Sequence, residues 1–551
     1  IAGGIVAVML VPQAMAYAML AGLPPQVGLY ASILPLIAYA ALGSSRALAV
    51  GPVAIASLMT ASALGAVAES GTVDYVAAAL ILAALSGLIL LAMGVARLGV
   101  LVNFLSHQVI SGFTSAAALV IGLSQLKHLL GIDVPRGSLF TDVVVDVIRG
   151  LPSTNLATAL VGAGAIGLLI LSRAPLARLL RGLSVPRGIV DPLTKTGPLA
   201  AVFLTALVVW AFGLDADFGV AIVGAIPAGL PHAGLPRFDA ALWSDLFPAA
   251  VLITIIGFLE SVSVAKALAS KRRQKIDANQ EFLALGAANI AASVTGGYPV
   301  AGGFGRSGVN FAAGANTPLA SIITAVLMAL TLLFLTPLFY YLPRTALAAI
   351  IIVAVLNLID LRTFREAWRY NKADAVSLAA TFVSVLVAGI EAGIVFGLAV
   401  SLALYLWRTS RPHIAVVGRV GDTEHFRNVL RHSVKTAPGI LAIRVDESLY
   451  FANASYLEDH LLSAVADDKT IEHVVLICSA VNFIDASALD TLENMIVELR
   501  DAGVTLHLAE VKGPVTDKLQ RTAFLEHLEP GSLYLSTHDA LRALTGATRA
   551  P

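Results

Sequence analysis

Long apolar blocks separated by short polar breaks fill the first 410 residues. They suit membrane-spanning helices of about 20 residues and fall near 3–20, 26–43, 48–66, 75–96, 99–126, 155–172 and 197–213. A second set falls near 248–268, 280–298, 304–315, 316–337, 343–359, 374–389 and 391–407. Each set holds seven. Third in each set stands a broken block, "RALAVGPVAIASLMT" and "GGYPVAGGFGRSGVN". A matched pair of Gly- and Pro-interrupted segments points to the ligand site of a transporter built from inverted repeats. After Arg411 the apolar runs shorten to strand length, in "HIAVVGRV", "ILAIRVDESLYF", "HVVLICSAV" and "VTLHLAEV". They alternate with the amphipathic stretches "ASYLEDHLLSAVADD" and "SALDTLENMIVELRDAG". That alternation predicts a mixed sheet with helices on it. The expected division is a membrane part at 1–410 and an α/β domain at 411–551.

Composition agrees with a polytopic membrane protein. The chain is 57% hydrophobic and 13% charged with a mean hydropathy of +0.83, where soluble domains carry about 25% charged residues. Basic residues gather in alternate loops: Arg173, Arg178, Arg181 and Arg187 in one, "SKRRQK" in another, Arg362, Arg365, Arg369 and Lys372 in a third. The loops between hold the mix Asp215, Asp217, Arg237, Asp239 and Asp245. Cytoplasmic loops collect Lys and Arg, so both ends of the membrane part are expected inside. The chain opens at Ile1 within an apolar run, which reads as a trimmed start and not as a signal peptide. Zero formal net charge suggests no nucleic-acid partner, and the single cysteine, Cys478, excludes an intrachain disulfide. With no Cys/His cluster and no nucleophile, base and orienter set, neither a metal, a cofactor nor an enzyme is expected. His107, His128 and Glu391 read as packing or interface residues.

The broken blocks carry the candidate chemistry. In "AGGFGRSGVN", Gly303, Gly305 and Gly308 have the G-x-G-x-x-G spacing. A dinucleotide loop needs a strand before it, a helix after it and an acid about 20 residues on. Here the following run, "SIITAVLMALTLLFL", is wholly apolar, and the next carboxylate is Asp360. Arg306 then stands inside the membrane, where an arginine costs about 3 kcal/mol unless it faces a cavity or partner; snorkelling to an interface is the bland alternative. Gly51 and Pro52 suit a helix start or a plain kink. Gln13 and Tyr17, four apart, share a helix face, either toward a ligand or as interhelical glue and interface belt. Glu260 precedes the "SKRRQK" loop by about ten residues and so lies near mid-membrane. A buried acid there marks an ion or proton route, or else an ion pair with Arg306 or Lys266.

Two long stretches, "LVPQAMAYAMLAGLPPQVGLYASILPLIAYAALGSSRALAVGPVAIASL" and "ESVSVAKALASKRRQKIDANQEFLALGAANI", resemble the sulfate permease (SulP) family of anion transporters, related to the animal solute carrier 26 proteins. The C-terminal domain resembles the family's STAS domain, shared with anti-sigma-factor antagonists. The resemblance implies a seven-plus-seven inverted repeat divided into core and gate domains, followed by a cytoplasmic STAS domain outside the transport path. It implies half-helices at spans 3 and 10 with the anion between their N-termini. Gly302, Gly303 and Gly305 would bring backbone N–H groups to the ligand, and Gln13, Tyr17, Val53, Ala54, Phe304, Arg306 and Ser307 would line the site. Glu260 would couple transport to a proton. The implied substrate is a sulfate, bicarbonate or C4-dicarboxylate anion, carried by symport with a proton, or with sodium. An uncoupled exchanger, a channel or a sensor is the alternative. Location in the plasma (inner) membrane and a homodimer complete the expectation. In "NFIDASALDTLENM", antagonist relatives carry a phosphorylated serine, yet the stronger reading is that Ser487 with Asp490 fits a helix-capping pattern.

Overall fold

A helix lies on each of the fourteen apolar segments in the computed structural model, which describes every residue except 70–71, 101–106, 134–139, 173–174, 177, 179–181, 183–193, 195, 232 and 547–551. Numbered as spans, the first set is Ala2–Leu20, Pro25–Tyr30 with Leu34–Leu42, Ala54–Gly65, Val73–Val95, His107–Leu130, Leu156–Leu171 and Gly197–Ala211. The second is Ala240–Ser270, Ala278–Val294, Phe304–Ala312, Leu319–Leu330, Arg344–Val355, Lys372–Ala388 and Ile390–Thr409. Among the described residues eight stretches are long and apolar enough to cross a membrane unaided, or nine if the pair Phe140–Ser153 and Leu156–Leu171, bent by 119°, is one span. Spans 3 and 10 fall short of that length, as their Gly-Pro breaks require. The opening of the fifth block, and Arg173, Arg181 and Arg187, lie outside the described residues. Two compact units result, Ile1–Ser401 and Leu402–Pro551.

Small residues set how the broken spans are aimed. A Cβ on Gly87 of span 4 would lie 2.8 Å from the backbone nitrogen of Ile290, and one on Gly286 of span 9 would lie 2.8 Å from the Leu91 side chain. Spans 4 and 9 therefore pack at backbone distance, as small residues allow between membrane helices. Span 9 then holds Asn289 in place, and its amide grips Val300 twice. Nδ2 donates to the Val300 carbonyl at 3.0 Å and Oδ1 accepts the Val300 N–H at 2.9 Å. Immediately beyond, strand β2 (Ala301–Gly302) pairs antiparallel with strand β1 (Val50–Gly51), placing Val50 opposite Gly302 and Gly51 opposite Ala301. Each strand gives way to a half-helix, span 3 after Val53 and span 10 after Gly303. Neither helix start has a side-chain cap.

In the C-terminal unit a six-stranded sheet has the order β4-β3-β5-β6-β7-β8, formed by β3 (Ile414–Arg419), β4 (Phe426–Asn428), β5 (Ile440–Val445), β6 (His473–Ile477), β7 (Thr505–Ala509) and β8 (Leu533–Tyr534). Strand β3 is antiparallel to β4 and β5, and the strands from β5 to β8 are parallel. The two amphipathic stretches form helices Ala454–Asp467 and Ala486–Asp501, whose Leu461 and Leu492 enter one core with Ile443 and Leu476 of the sheet. The short edge strands β4 and β8 have no long apolar run to announce them. One expectation needs correction. Asp485, not Ser487, caps the second helix: its carboxylate accepts the Ala488 N–H at 2.8 Å and the Phe451 N–H at 2.9 Å.

His507 on β7 is buried, accepts the Ser532 N–H on Nδ1 at 3.1 Å and faces Nδ1 of His473 across 3.2 Å. Burial, helped by His473, pushes its pKa down to about 4 from the usual 6.5. Between those values the unfolded chain binds a proton that the fold excludes, so the contribution is full above pH 6.5 and falls as pH drops toward 4. In the purified protein, protease resistance of the C-terminal unit should decline across that window. His507→Gln should flatten the decline, and an unchanged slope would assign it to other groups.

Candidate functional site

The site begins where the two half-helices start. An α-helix leaves its first N–H groups without intrahelical acceptors, and here no side chain takes them up. Ala54, Ile55 and Ala56 present theirs on span 3, and Phe304, Gly305 and Arg306 on span 10. The N-termini of both helices carry about half a positive charge each. The crossing of β1 and β2 brings them together, because each strand is two residues long and leads directly into its helix.

Arg306 lies on that crossing. It is 3% exposed, and its Nη1 donates to the Pro52 carbonyl at 2.5 Å. Its Nε and Nη2 are buried and meet no acceptor. These two groups point the same way from the guanidinium plane and form one two-pronged edge. Glycine makes room for it: a Cβ on Gly303 would stand 3.2 Å from Nη2, and one on Gly51 3.5 Å. Glu260 on span 8 and Tyr17 on span 1 both lie within electrostatic reach of Arg306, as does Tyr298. The Oε2 of Glu260 is buried without a hydrogen-bond partner. None of the ion pairs among the described residues includes Glu260 or Arg306.

Gln13 is half-buried one turn before the buried Tyr17, and Val53 and Ala54 are buried at the start of span 3. Phe304 and Gly305 are exposed at the start of span 10. Three expectations change. The Gly302 N–H donates to Ser261 Oγ at 2.7 Å and the Gly303 N–H to the Ala49 carbonyl at 3.2 Å. Those two glycines therefore act by their small size and not as backbone donors. Ser307, expected at the ligand, is fully buried with its Oγ accepting the Ala49 N–H at 2.9 Å. The crossing explains all three: the Gly303 N–H and Ser307 Oγ are used to bind Ala49 beside β1, and the Gly302 N–H is taken by Ser261 of span 8.

Sequence reasoning missed the scaffold around the crossing. Ser57 Oγ and the Tyr298 hydroxyl are 2.9 Å apart, and Asn310 donates to the Ala47 carbonyl at 3.1 Å. Asn289 and Ser261 belong to the same set, and so does Glu281, fully buried near the start of span 9. One signal was available: a lone amide or acid in an apolar span is expensive unless partnered, and Asn289 and Glu281 both answer to it.

A family model described as the sulfate permease family matches residues 1–381, and a STAS domain model matches residues 431–540. The chain belongs to the sulfate permease family. This permease is 39% identical to the chloroplastic sulfate transporter 4.1 of Arabidopsis thaliana, over 98% of the chain and 79% of that protein. It is 34% identical to a probable sulfate transporter of Mycobacterium tuberculosis, over 98% of the chain and 94% of the relative. Among solved structures, SLC26A9 superposes with a TM-score of 0.88 at 24% identity, covering 99% of the permease and 90% of that chain. The transmembrane domain of the cyanobacterial bicarbonate transporter BicA gives 0.59 at 22% identity, covering 73% and 96%. Both likenesses show the fold of many apolar helices, and the STAS model together with the full-length match to SLC26A9 shows the domain of strands and helices at the C-terminus. The permease is a multi-pass membrane anion transporter and not an enzyme.

The glycines of the site should answer differently to a methyl group. Gly303 has φ −91° and ψ 132°, which alanine adopts freely, but its Cβ would crowd Arg306 Nη2 and Val53. A Cβ on Gly305 meets nothing within 4 Å. Anion binding measured on the purified permease should weaken about tenfold in Gly303→Ala, a change of about 1.4 kcal/mol, and change little in Gly305→Ala. Equal affinities in the two variants would remove Arg306 from the binding surface.

Proposed function

We propose that this permease carries an oxyanion of the sulfate class by alternating access, in company with a proton held on Glu260. The observation that carries the reading is the unpartnered Nε and Nη2 edge of Arg306, set beside two uncapped helix starts. A two-pronged donor matches two oxygens of one anion, as in sulfate, bicarbonate or a carboxylate, whereas a halide offers a single point. Relatives named as sulfate transporters at 39% and 34% identity favour sulfate within that class. In this reading Gln13, Tyr17, Val53, Ala54, Phe304, Gly305 and Arg306 face the anion, while Gly303 and Ser307 shape the site from behind.

The coupling follows from charge. Two helix starts contribute about half a charge each and Arg306 one, while ionised Glu260 removes one, leaving about plus one on that helix-dipole scale. Protonation of Glu260 raises the sum to about plus two on the same scale, matched to a dianion. Anion and proton then strengthen each other's binding by the same factor. The proposal also takes residues 1–410 as the transport domain and 411–551 as the STAS domain. It places both ends of the transport domain and the STAS domain in the cytoplasm, and the permease in the plasma (inner) membrane as a homodimer.

Purified permease in liposomes should accumulate sulfate under an inward acid gradient. Glu260→Gln should still bind and exchange sulfate but gain nothing from the gradient. Uptake indifferent to pH in the wild type, or driven by sodium instead, would discard the proton. A second expectation concerns the fork. Arg306→Lys keeps the charge and loses the two-pronged edge, so sulfate affinity should fall about tenfold, or about 1.4 kcal/mol, with chloride affinity nearly unchanged. Parallel losses for both anions would mean that charge alone is read.

A further inference from the structure

Residues 271–277 connect span 8, which bears Glu260, to span 9, and two charged side chains at the ends of this connection reach away to the half-helices. Arg272 is half-buried at the far end of span 10. Its Nη2 donates to the Phe311 carbonyl at 3.0 Å, its Nη1 donates to Asn316 Oδ1 at 2.6 Å and to the Ala315 carbonyl, and its guanidinium lies 4.2 Å over the Phe311 ring. The last carbonyls of a helix lack intrahelical donors and favour a cation. A helix of nine residues, Phe304–Ala312, is too short to stand by itself. Arg272 therefore anchors the end of span 10 opposite the anion site.

Glu281, fully buried in the first turn of span 9, holds the other half-helix through the chain that leads to it. Its Oε1 accepts the Ser44 N–H at 2.8 Å, the Ser44 hydroxyl at 2.7 Å and the Ser45 N–H at 3.0 Å, and its Oε2 accepts the Tyr39 hydroxyl at 2.7 Å. Ser45 Oγ in turn accepts the Leu48 N–H at 3.2 Å, two residues before β1. The approach to span 3 is thus suspended from Glu281 of span 9, and the end of span 10 from Arg272 just after span 8.

We propose that Arg272 and Glu281 are positioning residues, a bracket in the span 8–9 connection that fixes where the two uncapped helix starts stand relative to each other and to Glu260. Neither side chain touches the anion. The inference rests on the anion site proposed above, so its test has one arm that does not depend on the identity of the anion. Hydrogen exchange on the full-length permease without substrate reads the half-helices directly. Arg272→Gln should speed exchange of the amides of 304–312 about tenfold, the signature of local opening, and leave spans 5 and 12 unchanged. Glu281→Ala should do the same for 46–57. In the second arm, sulfate binding should weaken about tenfold in both variants, whereas Arg272→Lys and Glu281→Gln, which keep part of each set of contacts, should stay within about threefold. Should Glu281→Ala fail to fold, the half-buried Arg272 decides the matter through its own pair of variants. Exchange that is unchanged, or raised throughout the membrane unit, would overturn the bracket, as would local loosening with wild-type sulfate affinity. A wild-type permease that binds no sulfate would fail the functional reading alone, with the exchange arm still deciding the bracket.

Discussion

Backbone that leaves the helical path at membrane depth must find its hydrogen bonds within the protein, and the crossing of β1 and β2 is how this permease meets that demand. Two residues from each broken span pair with each other, and the donors on either side are taken by Ser261, Ser307 and the Ala49 carbonyl. At the crossing itself, the first turns of the two half-helices are left without a side-chain cap. The groups proposed to meet the anion are thus ones that the crossing leaves over, and the crossing brings them to one spot. Everything packed behind the crossing, from the glycines of spans 4 and 9 to Asn289, keeps that accounting from drifting.

Electrostatics follows from the same geometry. Arg306 is buried, so two unanswered N–H groups on it are costly. In the reading proposed above, an anion between the helix starts would relieve that cost, and the carboxyl of Glu260 would set how much positive charge greets it. The STAS unit has its own economy of burial. There His507, buried in the sheet beside His473, is the group whose charge the fold excludes.

The spans, the central strands and both broken segments were readable from hydrophobic spacing, because span length and strand alternation are imposed by the bilayer and by the sheet; the short edge strands β4 and β8 were not. Arg306 and Glu260 were readable for a different reason: a charge in an apolar block demands explanation. The roles of Gly302, Gly303 and Ser307 were not, since whether a polar group is free depends on a partner far off in the chain, Ser261 for the first and Ala49 for the other two, and no local pattern encodes that. Asp485 displaced Ser487 as a cap for a similar reason, because its second oxygen serves Phe451 from another loop. Long-range pairing is the part of the site that spacing does not reveal.

The half-helices are alike in backbone and unlike in side chain. Counting three residues on from each cap, Val53 leads to Ala56 and Gly303 leads to Arg306. A carrier made of two inverted halves has, by symmetry, a mirror relation between its outward-open and inward-open states, and a single arginine on one half breaks it. In the reading proposed above, an anion between the helix starts would meet a guanidinium on one half and only a methyl group and a bare helix end on the other. The fold repeats across the two halves while the charge does not, and under that reading the two half-helices would hold an anion unequally.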